Sequence, residues 1–339
     1  MDKTMSNALK EKWLHLYEVA NNIGMFEPWK RFYEDNCFSF IPRGNKETYF
    51  FSFIGESAER CGIACYTNEK DYLKGRKRLT SKNSKDEPAL FLQNAYMCFW
   101  GNREDISKES YAQIKELGFS FRGKGAWLYF TRFQVGYLPV LLEEKEVDMM
   151  ICAFENLFMM LKAIYEGGLE PEFENGNTLI RWYSEEDKLY YTHPFDVNFS
   201  EQALDDIIYI SKEESRLQNF KKTSASDYSI LLDWGYVTTV MVNDYNKQIF
   251  PLVLLASTKD NFLLLQPQIL NPEDNKIDIL FNSILKIIDK SGKPREIIIC
   301  DNEIKNIISD FCKILGIKIT VRKSIPALNK TRKGLFQFR

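Results

Sequence analysis

Apolar positions recur at helical spacing from Leu9 through Trp13, Leu16, Tyr17 and Ala20 to Ile23, and Gly24 closes the run. The pattern predicts a helix over residues 9–23. Short aromatic and β-branched runs at 37–42, 48–54 and 62–66 read as strands, with Gly44 and Asn45 turning between the first two. Residues 74–87 break the rhythm. Lys74, Arg76, Lys77, Arg78, Lys82 and Lys85 crowd a stretch without apolar period, which reads as a loop. A strand is expected at 89–100, then a short helix capped by Ser107 and stopped at Gly118. The strongest periodicity lies at 143–166, where Val147, Met150, Phe154, Leu157, Leu161 and Ile164 form a wide stripe behind an acidic first turn. Strands at 178–183 and 188–192 form a hairpin, followed by a polar helical region at 200–221.

Residues 211–226 are charged and poor in large apolar side chains, so they are expected to link an N-terminal α+β domain (1–210) to a C-terminal α/β domain (227–339). In the second domain, strands are expected at 228–242, 249–258 and 262–269, a helix at 277–290, a strand at 295–300, a helix at 304–315 and a strand at 317–322. The order βββαβαβ begins with hairpins and ends with parallel crossovers.

The 339 residues carry 45 Lys and Arg against 47 Asp and Glu, a net charge of −2 that excludes a global basic field for nucleic acid but not a local patch. Apolar runs are far shorter than the roughly 20 residues that span a bilayer, so no membrane partner is expected. The seven cysteines are scattered and odd in number, which reads as reduced core thiols and a cytoplasmic location. On a strand, Cys61 and Cys65 would stand about 13 Å apart, too far to share a metal without a turn. His15 and His193 are the only histidines, and neither has the partners of a nucleophilic triad. Arg122-Gly-Lys-Gly125 lacks the rest of a phosphate-binding loop and reads as a turn; Trp127, Tyr129 and Phe133 read as core or as part of an aromatic groove, and the methionine pairs at 149–150 and 159–160 read as core packing rather than a partner groove.

Several segments carry a resemblance. Trp13-Leu-His-Leu-Tyr17, Pro28-Trp29, Gly118-Phe-Ser-Phe-Arg-Gly-Lys-Gly-Ala-Trp127 and Gly136-Tyr-Leu-Pro139 resemble an uncharacterised bacterial family. Pro294-Arg-Glu-Ile297, Asp301-Asn-Glu303, Leu315-Gly-Ile317 and Pro326-Ala-Leu328 resemble a second module of unknown function that follows the first. The segment from Pro294 to Ile317 also looks like part of the ribonuclease-H-like core of integrases and transposases. That likeness implies a βββαβαβ fold, with Asp233 on the opening strand and Asp301 after the fourth as metal-binding, catalytic carboxylates. Such sites converge carboxylates on Mg²⁺ or Mn²⁺ for phosphoryl transfer. This chain departs from the pattern, because no acidic residue follows Asp310 to supply the usual third carboxylate, and Glu303 stands at a helix start where the helix dipole alone favours it.

The tail is basic instead, and Lys318, Arg322, Lys323, Lys330, Arg332 and Lys333 are candidate phosphate contacts. The expectation is a non-catalytic binding or adaptor protein, with nucleic acid or a protein as partner and no small-molecule cofactor. The alternatives are a divalent-metal nuclease or strand-transfer enzyme using Asp233, Asp301 and Glu303, and a purely protein-binding module.

Overall fold

The computed structural model describes residues 5–33, 36–44, 47–55, 61–79, 93–173, 177–196, 220–221 and 226–335. The chain divides into two compact units, residues 1–135 with 139–200, and residues 136–138 with 201–339.

The first unit begins with α1 (Asn7–Gly24), whose first turn is closed by the Ser6 hydroxyl accepting from the Leu9 amide. Strands β1 (Phe38–Ile41), β2 (Tyr49–Ile54) and β3 (Cys61–Tyr66) follow, then helix α2 (Glu69–Leu79), β4 (Ala95–Gly101), α3 (Lys108–Glu116), β5 (Trp127–Phe133), α4 (Glu144–Tyr165), β6 (Asn177–Ser184) and β7 (Leu189–Asp196). The strands make one sheet in the order β5-β4-β3-β2-β1-β6-β7. Every pairing is antiparallel except β1 with β6. The apolar stripes of α1 and α4 join the inward strand positions in one core. Fully buried Phe130 is its hub, with ring centroids 5.9 Å from Trp13, 5.2 Å from Tyr17 and 6.0 Å from Phe154.

Helix α2 corrects the loop reading for residues 74–79. Asn68 caps it by accepting from the Asp71 amide, and one fully buried aromatic, Tyr72, replaces the missing stripe by stacking on Phe50 at 5.1 Å. Gly75 lets the helix approach, since a Cβ there would come within 2.4 Å of the Tyr66 hydroxyl. The rest of the basic stretch, the first residues of the strand expected at 89–100, and nearly all of the region from 197 to 225, including most of the expected linker, lie outside the described residues.

The second unit contains β8 (Ser226–Tyr236), the short pair β9 (Met241–Val242) and β10 (Gln248–Ile249), β11 (Leu252–Ser257), β12 (Gln268–Leu270), α5 (Lys276–Ser291), β13 (Pro294–Ile299), α6 (Asn302–Leu315), β14 (Lys318–Val321) and α7 (Pro326–Gly334). Its five-stranded sheet runs β12-β11-β8-β13-β14. The β12, β11 and β8 pairings are antiparallel, while β8, β13 and β14 run parallel. Strand β12 is shorter than the run expected at 262–269. There Phe262 is exposed and its amide turns back onto the Thr258 hydroxyl, so the chain makes a turn before it pairs. Helix α7 was not expected: Pro326 starts it and Leu328 anchors it in the core.

All seven cysteines are free thiols. Among the described residues, no helix is long and apolar enough to cross a membrane. The Phe130→Ala variant is expected to lose about 3–5 kcal/mol, the cost of an aromatic-sized core cavity, read from the urea-denaturation midpoint.

Candidate functional site

Alternation along β8 divides its residues between the two sheet faces. Ile230, Leu232 and Trp234 join the core formed with α5 and α6. Leu231 and Val237 lie in a smaller cluster with Val253, Leu255, Ile298 and, from the α7 segment, Ile325 and Leu328. Asp233 points to this second side and is 3% exposed. Its neighbour on β11 is Leu255.

A carboxylate so placed needs partners, and it has two. The Cys300 thiol donates to Asp233 Oδ1 at 3.0 Å. Burial and the adjoining carboxylate push that thiol up to about 12, so it stays protonated and able to donate. Arg332 Nη2 donates to Asp233 Oδ2 at 2.6 Å, an ion pair whose side chains are only 12% and 4% exposed. Arg332 Nη1 donates to Asn329 Oδ1 at 3.2 Å, while its buried Nε has no partner. The guanidinium lies against Gly235, where a Cβ would stand 2.4 Å from Nη1. Arg332 and Leu328, one turn apart, share the inner side of α7.

Asp301 has a different task. It caps α6, with Oδ1 accepting from the Glu303 amide at 2.7 Å and Oδ2 from Trp234 Nε1 at 2.6 Å. Burial raises its carboxyl above the ordinary range, against the pull of the indole hydrogen bond. Glu303 accepts from Lys276 Nζ at 2.6 Å, and that ammonium lies 5.1 Å from the centre of the Trp234 ring. The three acids singled out in the sequence are therefore held by a guanidinium, by an indole with a backbone amide, and by an ammonium. Asp233 faces the α7 side, whereas Asp301 turns to an indole on the other. Among the described residues, no three His, Cys, Asp or Glu side chains are grouped to hold a metal. The donor set does not fit a divalent-metal pair, because the cation already seated on Asp233 would repel one.

The structure also corrects the reading of Arg332 as a phosphate contact: it turns inward and is consumed by Asp233. Lys318, Arg322, Lys323, Lys330 and Lys333 are exposed, with Lys318 Nζ 3.7 Å from Glu296. Elsewhere, His193 Nε2 accepts from Trp182 at 3.0 Å, and His15 pairs with Glu155 at 2.8 Å. In the Arg122–Gly125 turn, the Gly125 amide is spent on Asn102. Tyr129, Phe133, Met150 and Met160 are core residues, while Met159 is exposed.

Residues 13–181 match the family described as Domain of unknown function (DUF7309), and residues 216–336 match Domain of unknown function (DUF6930). The chain is a member of an uncharacterised two-module family. No curated protein and no solved structure matches it.

Removing Arg332 leaves a buried, unbalanced carboxylate, so Arg332→Ala is expected to cost about 3–5 kcal/mol in urea denaturation. The double variant Asp233→Leu with Arg332→Met is expected to recover most of that loss, and a double-mutant cycle isolates the coupling. Gly235→Ala displaces the guanidinium and is expected to cost about 1–3 kcal/mol.

Proposed function

We propose that the second unit is a ribonuclease-H-like module turned from metal catalysis to binding, and that it contacts the nucleic-acid backbone. Three antiparallel strands followed by two parallel ones, with Asp233 on the opening central strand and Asp301 just past the fourth, support the fold assignment. The observation that carries the non-catalytic reading is the Arg332–Asp233 pair at 2.6 Å. A fixed organic cation sits on the carboxylate that a catalytic relative would reserve for a metal, and it comes from the last helix, where a third acid would be expected.

The binding surface is the exposed basic set around α7: Arg322 and Lys323 before it, Lys330 and Lys333 on it, with Lys318 on β14. From Asp227 to the C-terminus there are 16 Lys and Arg against 12 Asp and Glu, so this third is basic although the chain as a whole is not. Such a surface reads phosphates rather than bases and confers affinity without sequence preference.

The purified protein is expected to leave single- and double-stranded DNA and RNA intact with Mg²⁺ or Mn²⁺. Metal-dependent cleavage abolished by Asp301→Ala would establish the enzymatic alternative instead. Binding is expected to weaken about a hundredfold between 50 and 200 mM salt if about four phosphates are neutralised. Lys330→Glu with Lys333→Glu is expected to weaken all sequences alike, and absence of binding even at low salt would leave a protein partner as the reading.

A further inference from the structure

Strand β6 presents one set of alternate positions to α4. Leu179 is fully buried in the core. Two positions on, where the same face calls for another apolar side chain, stands Arg181. Arginine keeps its charge in any protein setting, so half-burial has to be offset by partners. Burial works against this charge and lowers its pKa.

The partners are all neutral. Nε donates to Asn156 Oδ1 at 2.9 Å and Nη1 to Thr192 Oγ1 at 2.8 Å, while the Tyr190 ring centre lies 4.8 Å from the guanidinium carbon. Among the described residues no carboxylate pairs with it. Two other half-buried arginines are neutralised: Arg132 by Glu146 and Arg332 by Asp233, both at 2.6 Å. Of the five N–H donors of a guanidinium, two are engaged here, which leaves most of the outer fork free.

Arg181 and Thr192 line an open groove of about 330 Å³ beside the last turns of α4. Met159 and Ala163 supply an apolar wall. Lys162 and Glu166, also on its lining, pair with each other at 3.5 Å and cancel. Arg181 is the unbalanced charge that remains. A single negative charge would restore neutrality, and a second would overshoot it. The apolar wall suits a hydrocarbon body, and the Thr192 hydroxyl, whose oxygen accepts from Arg181, keeps its hydrogen to donate.

We infer that this groove of the first unit binds a small organic carboxylate, its two oxygens on the Arg181 fork and its apolar part against Met159 and Ala163. Sodium hexanoate and inorganic phosphate, titrated separately into the ¹⁵N-labelled full chain, test this through the backbone amide resonances of positions 181 and 192 and, in the unsubstituted chain, through the Arg181 Nε–H. The expected result is a saturable shift with hexanoate, and affinity for phosphate about tenfold weaker or less. Because a lysine loses the bidentate fork, Arg181→Lys is expected to weaken hexanoate binding about tenfold. Lys290→Glu, at an exposed position of the other unit, is expected to leave it unchanged. Should Arg181→Lys not fold, Thr192→Val serves in its place and must weaken hexanoate binding too. The inference is overturned by drift without saturation, by phosphate binding as tightly as hexanoate, or by undiminished hexanoate affinity in the folded variant.

Discussion

The second unit is organised around one ion pair closed off from water. Asp233 is on the central strand and Arg332 is 99 residues later, on the final helix. Such a pair contributes little net stability over a well-packed apolar substitute, because both charges lose their hydration. Its force lies in asymmetry: once one charge is inside, the other is obligatory. The pair therefore fixes which helix covers this side of the sheet, at what height, and with which face inward. Gly235 belongs to the same constraint, as does the protonated Cys300 thiol that takes the second carboxylate oxygen. The electrostatic consequence is equally direct. A carboxylate bonded to a guanidinium offers neither the free charge nor the open coordination positions that a hard cation demands.

Much of the architecture was legible in spacing. The α1, α4, α5 and α6 stripes, the strands between them, and the Ser107 cap lie within a few residues of where the pattern puts them, because each buries a broad periodic face. The elements that escaped are those held by one or two anchors. Helix α2 depends on Tyr72 and the Asn68 cap, and α7 on Leu328 and a buried arginine. No periodicity marks either. Conversely, the apolar run that opens 262–269 looks like a strand by composition, yet most of it is spent on a turn.

The candidate site was half legible. Asp233 and Asp301 were marked by the likeness to integrase cores, and the missing third carboxylate was visible as an absence. What composition concealed is that Arg332 differs from its basic neighbours. Charge counting treats Lys330, Arg332 and Lys333 alike, whereas helical phase separates them: Arg332 lies one turn beyond Leu328 and follows it inward. Arg181 was hidden for a related reason, since a strand with one charged side chain still scans as a strand, and only burial reveals that the charge lacks a counter-ion.

The aromatic beside Asp301 has a further consequence. Trp234 is the only tryptophan from residue 183 to the C-terminus, and its indole is tied to a carboxylate at 2.6 Å with an ammonium close to its ring. Indole emission responds to the fields of nearby charges. The second unit thus carries a built-in optical probe at the junction of α5, α6 and the central strand, one whose colour follows the ionisation of a single acid.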